Sequence, residues 1–167
     1  MNAPARSSPK EHDVRCGDPP PFRPAHILVP VDFSAASRRA VCRARALAES
    51  FGARLILVHV VEPSPALSPL DYVPVGEPHP DDDRLTAARA ALAATAAELA
   101  PPVPTEQIVR FGRAWREIVD QALRRHADLL LVPNHGDHRR GPAYLGSVAE
   151  KIVRHAPCPV LVLRDGG

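Results

Sequence analysis

Five short apolar runs, separated by stretches whose apolar residues recur at helical spacing, constrain this chain more than any other feature. The runs are His26-Ile27-Leu28-Val29-Pro30-Val31-Asp32, Leu55-Ile56-Leu57-Val58-His59-Val60-Val61, a third at about Thr105–Phe111, Asp128–Val132 and Pro159–Arg164. Each is brief and ends in a polar residue or turn, as buried strands do. With helices between them the order reads β-α-β-α-β-α-β-α-β. That alternation demands an α/β fold, a parallel sheet with helices on both faces and right-handed crossovers. The third run is the least apolar and belongs at a sheet edge.

The helices carry their own start and stop signals. Ser34 or Ser37 can cap the first, with Ala40, Ala44, Leu47, Ala48 and Phe51 on one face, Arg38, Arg39, Arg43 and Arg45 mostly on the other, and Gly52 as its stop. Asp81, Asp82 and Asp83 open an alanine-rich second helix, their charge suiting the helix dipole. Leu85, Ala88, Leu92, Ala96 and Leu99 face inward, and Pro101, Pro102 and Pro104 end it. Gly112 turns into a third helix with Ile118, Val119, Ala122 and Leu123 on its buried face. Ser147 followed three residues later by Glu150 reads as a capping box, which starts a fourth helix there. Residues 1–24 are polar and proline-rich and read as a disordered or flexible extension, and Glu62–Pro80 is too punctuated for regular structure. Residues 25–165 remain as one domain.

Composition narrows the class. The chain of 167 residues is 45% hydrophobic but only 4% aromatic, so its core is built from Ala, Val, Leu and Ile, as suits helices on a buried parallel sheet. A formal charge of +2 is too small to argue for a nucleic-acid partner. Cys16, Cys42 and Cys158 are odd in number and form no C-x-x-C pair, which fits a reducing compartment better than a disulfide framework or structural zinc. No run reaches membrane-spanning length and the N-terminus has no signal-peptide apolar region. A soluble, cytoplasmic protein with no membrane partner is the expectation.

In parallel sheets of this kind ligands sit beyond the carboxyl ends of the strands, where the strand order reverses. Asp32 at the end of the first strand and the basic loop after the fourth (Asp137, His138, Arg139, Arg140, Gly141) then share one crevice. Gly146 has no side chain to keep an anion from the free N–H groups of the following helix. Strand, glycine-bearing basic loop and helix N-terminus together describe a phosphate site. Plainer readings stand beside this one. Asp32 alone is a turn residue, Ser147 is first a helix cap, and Trp115 is equally an interface anchor or a packing residue. His135, Asp137 and His138 make a weak metal pattern better read as solvated loop, so no metal site is assigned. His59 reads as a satisfied core histidine rather than a base, and Cys158, between Pro157 and Pro159, as small buried packing. No G-x-S-x-G, H-E-x-x-H or Walker lysine motif occurs, and no catalytic residue can be named.

The stretches Ile27–Ser34, Leu57–Val60 and Leu145–Leu163 resemble the universal stress protein family, over nearly all of 25–165. The resemblance implies a five-stranded Rossmann-like sheet in the order 3-2-1-4-5, a homodimer and, in many members, an adenine-nucleotide site of the pattern G-x2-G-x9-G-[S/T]. Gly136, Gly146 and Ser147 fall on its last three positions. Asp32 matches the acidic residue near the ribose, Val60 the apolar contact to adenine, and Val148 and Ala149 the helix start beside the phosphates. Pro30, Val31, Val132, Pro133, Asn134 and Arg139 complete the set this implies, with ATP, accompanied by Mg2+, as the cofactor. Two departures stand out. Pro133 occupies the first glycine position, removing an N–H and adding a ring, and Asp137 follows Gly136 where a basic residue is common. The expected function is a dimeric stress-response or signalling module, its signalling partner unspecified, that binds ATP or a related adenine nucleotide between strands 1 and 4. The alternatives are a dimeric interaction protein with a vestigial pocket, which Pro133 and Asp137 favour, and a slow ATP hydrolase. The last strand (Val160, Leu161, Val162, Leu163) is a flat apolar edge, and its simplest cover is the same strand of a second copy.

Overall fold

The structure, a computed structural model, describes residues 21–63, 80–134 and 145–164. Its elements run β1 (His26–Pro30), α1 (Ala35–Phe51), β2 (Arg54–Val61), α2 (Pro80–Leu99), β3 (Thr105–Phe111), α3 (Ala114–Arg124), β4 (Leu129–Pro133), α4 (Ser147–His155) and β5 (Val160–Leu163). The strands form one five-stranded sheet in the order β3-β2-β1-β4-β5, parallel at every junction. The architecture is the expected one, with the weakly apolar third strand at an edge. The extension before residue 21, most of the proline-rich stretch before α2 and the basic loop with Gly136 and Arg139 lie outside the described residues.

Strand alternation divides the core in two. Ile27, Val29, Leu55, Leu57 and Leu131 pack with Ala40, Val41, Ala44 and Ala48 of α1 and Leu92 and Ala96 of α2. Leu28, Ile56, Val58, Leu130 and Val132 pack on the other face with Ile118 and Ala122 of α3 and Ala149 and Ile152 of α4. Successive residues of a strand point to opposite faces, so a strand buried on both sides must be apolar at every position, as β4 is throughout. The entry to β1 is pinned by a side chain from the neighbouring strand's approach. Asp128 Oδ2 accepts from Ala25 N at 2.8 Å and His26 N at 2.9 Å, while Asp128 N donates to His26 O.

Ser34 caps α1, its hydroxyl accepting from Ser37 N at 3.1 Å. Gly52 ends the helix at φ 69°, a left-handed conformation open to glycine at little cost. Three expectations fail. Phe51 is 43% exposed, because the reversal at Gly52 brings Ala53 into the core beneath the helix end instead. Leu123 is 63% exposed. It lies five residues beyond Ile118, about 140° round the helix, and the buried face is completed by Gln121, whose amide donates to Asp120. Finally, α4 starts at Ser147 as expected, but the capping box does not form. Gly146 is the N-cap, with no side-chain cap bond, and Glu150 turns its carboxylate to Arg154 at 3.0 Å.

Leu28 is fully buried at the centre of the sheet, so Leu28→Ala is expected to cost about 2–5 kcal/mol, the transfer term plus a cavity. Urea unfolding measures it; a loss below 1 kcal/mol, on the order of an exposed site, would show that the β1 core is not closed.

Candidate functional site

The carboxyl ends of β1 and β4 part company, one leading to α1 and the other toward α4, and a cavity of about 260 Å³ opens between them. Its floor and walls are mostly aliphatic. Pro30 and Val31 come from the end of β1, Val58 and Val60 from β2, Val132 and Pro133 from β4, and Ile118 and Ile152 from α3 and α4. Asp32 stands exposed at one side, its Oδ1 accepting from Ser34 N at 3.0 Å. Across from it the first turn of α4 supplies Gly146, Ser147, Val148 and Ala149. Of the expected set, Asn134 does not line the cavity. Its N–H donates to Leu163 O, continuing the ladder with β5, and its amide oxygen is buried with no partner among the described residues.

Helix N-termini decide the polarity of this opening, since each presents free N–H groups and partial positive charge. At α1 the Ser34 hydroxyl takes one of those groups. At α3 the first N–H, that of Ala114, donates to Glu62 Oε1 at 2.9 Å from just beyond β2. At α4 the N-cap is Gly146, which has no side chain to cap with, and Ser147, exposed in the first turn, makes no cap bond among the described residues. Among the described residues, the α4 terminus is therefore the one of these three left open to an anion.

One polar group near the cavity is already engaged. His59 Nδ1 lies 2.7 Å from Val31 O, which makes it the satisfied histidine the sequence suggested. Cys158 packs against the α3/α4 core, and burial, reinforced by the negative charge of Asp128, pushes its thiol pKa up. A raised pKa keeps the thiol protonated and a poor nucleophile. Trp115 packs against the same core, with its ring 4.9 Å from that of His155 and Arg116 over its face. Glu62 and the turn at Phe33, held at φ 64°, carry no sequence signal. Ile118 and Ile152 were visible only as buried helix positions. Among the described residues no group of His, Cys, Asp or Glu could hold a metal ion, and no helix is long and apolar enough to cross a membrane.

Known proteins share this fold. The model of the universal stress protein family matches residues 25–164, and the chain belongs to that family. A Thermus aquaticus relative, the universal stress protein in the QAH/OAS sulfhydrylase 3′ region, is 36% identical over 140 residues, covering 83% of this chain and 97% of its own length. Among solved structures, universal stress protein UspA from Lactobacillus plantarum superposes with a TM-score of 0.61 at 27% identity, over 84% of this chain and 97% of that one. A universal stress protein in complex with cAMP gives a TM-score of 0.62 at 24% identity, over 85% of this chain and 98% of that one, and speaks for the fold.

The caps give a paired test. Glu62→Ala removes the acceptor at α3 and is expected to cost about 0.5–2 kcal/mol. Ser147→Ala removes no cap bond and should change stability by less than about 0.5 kcal/mol. Thermal unfolding of the two variants side by side would expose a Ser147 cap if the second proved as costly as the first.

Proposed function

We propose that this chain is an adenine-nucleotide-responsive stress or signalling module, with ATP as the ligand. The observation that carries the reading is one apolar cavity flanked by a carboxylate and an uncapped helix N-terminus. A purine base suits the aliphatic walls near Val60 and Val132, a ribose hydroxyl can donate to Asp32, and phosphate oxygens can accept from the first N–H groups of α4. The universal stress protein solved with cAMP supports an adenine nucleotide as the occupant. With no protein cluster placed to hold a metal among the described residues, Mg2+ would be carried chiefly by the phosphates. Among the described residues the cavity offers no base or nucleophile free for chemistry, the imidazole of His59 being bound to Val31 O. This favours binding over hydrolysis.

Mass analysis of nucleotide released from freshly purified, denatured protein, with calorimetric titration by ATP, ADP and AMP, tests the assignment. Gly146 sits at φ −58° and ψ 148°, a conformation any residue adopts, so Gly146→Val should fold normally. A branched side chain at the α4 N-cap should nevertheless weaken ATP binding at least about tenfold. Unchanged affinity would remove α4 from the site. Pro133 lies in the cavity wall, and Pro133→Gly is expected to tighten ATP binding. Weaker binding would mean the site has been built around the proline, and absence of binding in both proteins would favour an interaction protein with a vestigial pocket.

The module is proposed to act as a homodimer through β5. Leu130 N donates to Pro159 O and Asn134 N to Leu163 O, so Pro159, Leu161 and Leu163 turn their backbone groups to β4. Alternation then points those of Val160 and Val162 outward. Leu161 is 42% exposed. Val162→Pro therefore deletes an outward donor without touching the ladder to β4, and should convert a dimer to monomer or aggregate. Light scattering of the wild type as a monomer at micromolar concentration would reject the interface.

A further inference from the structure

His59 is a polar side chain in the middle of a buried strand, and the nucleotide reading gives it no task. Val58 and Val60 pack on the α3/α4 side, so alternation sends the His59 side chain to the opposite face. There its ring centroid lies 4.4 Å from that of Phe33, a residue packed against the α1/α2 core. Its Nδ1 is 2.7 Å from Val31 O. A carbonyl only accepts, so Nδ1 carries the proton.

The groups held are those that aim the site. Val31 N still follows the ladder, donating to Val58 O at 2.8 Å, but its carbonyl bonds to a side chain. Asp32 follows, with Oδ1 on Ser34 N, and Phe33 between them adopts φ 64°. A bulky residue persists in the left-handed region only where its surroundings over-determine it. Here the His59 bond fixes the turn before Phe33, the Asp32–Ser34 bond and the α1 cap fix it after, and the stack holds the ring itself.

We propose that His59 is the positioning residue for Asp32: its Nδ1–H bond to Val31 O and its stack on Phe33 hold the 31–33 turn so that the carboxylate faces the nucleotide cavity. The proposal deepens the nucleotide reading and rests on it for the ligand, while the clasp itself is a property of the free protein. Side-chain geometry makes it specific. An asparagine amide can place a donor where Nδ1 stands, a glutamine amide places one nearer Nε2, and leucine has none.

The test compares the full-length wild type with His59→Asn, His59→Leu and His59→Gln. Without ligand, nitrogen NMR of the wild type should show the Nδ1–H tautomer. Exchange of the Ser34 amide should rise about tenfold in His59→Leu, on the order of one lost hydrogen bond, and return to about the wild-type rate in His59→Asn. With ATP, His59→Leu should weaken binding about five- to tenfold and His59→Asn should restore it, and the loss should vanish when Asp32→Ala is already present. Should the leucine variant unfold, His59→Gln carries the same expectation. An Nε2–H tautomer, unchanged Ser34 exchange, or an ATP loss that persists in the Asp32→Ala background overturns the proposal. If the wild type takes up no ATP, the nucleotide reading fails on its own and Ser34 exchange still decides the clasp.

Discussion

The hydrogen-bond ladder on both sides of β1 is the constraint on which the remainder depends. Pairing with β2 on one side and β4 on the other makes β1 the strand at which the direction of chain progression reverses. Connections that leave adjacent strands toward opposite halves of a sheet cannot fill the space beyond both. The cavity at Val31 and Pro133 follows from that connectivity before any side chain is chosen. The far end of β1 is held just as firmly, since Asp128 takes two of its N–H groups and Arg54 N donates to Ala25 O. Register therefore cannot slip by one residue without moving Ile27 and Leu28 each into the other's layer.

Parallel topology also gathers helix N-termini at the same edge of the sheet, where their partial charges would add. The protein treats them differently. A hydroxyl answers α1 and a carboxylate answers α3, whereas α4 is left with a glycine cap. Glu62 matters here beyond its single hydrogen bond. By placing a negative group at α3 it reduces the competition of that terminus for an anion, which leaves the α4 end as the more favourable place for phosphate. The opening is thus polarised by what two caps remove as much as by what the third lacks.

The fold was legible in the sequence because burial on both faces leaves an unmistakable pattern. Leu129, Leu130, Leu131 and Val132 are apolar without alternation, and only a central parallel strand or a buried helix reads that way. Element ends were less legible. Ser147 and Glu150 match a capping box, yet Glu150 has a competing partner one turn on in Arg154, and a local pattern cannot show which bond wins. Leu123 failed because hydrophobicity was allowed to widen the α3 face beyond what helical geometry permits. At the site, Asp32 and Gly146 were readable from position at strand and helix ends, the family resemblance added Val60 and Val132, and all four line one cavity. Glu62 and His59 were not, because each acts on backbone atoms of residues 52 and 28 positions away. Such contacts exist only once the sheet has formed.

Phe33 shows how these levels join. A chain with so few aromatic residues places this one in a backbone conformation that disfavours it by roughly 1–2 kcal/mol, immediately after the residue that would meet a ribose. Glycine would relieve the strain, but it would also free the turn and remove the ring that packs on His59 and the α1/α2 core. Strain and stacking act together. The aromatic ring anchors Phe33 to the α1/α2 face of the sheet, while Asp32 lines the cavity on the other. A core built for stability on the α1/α2 side is in this way mechanically connected to the cavity on the α3/α4 side, through the short turn that leaves β1.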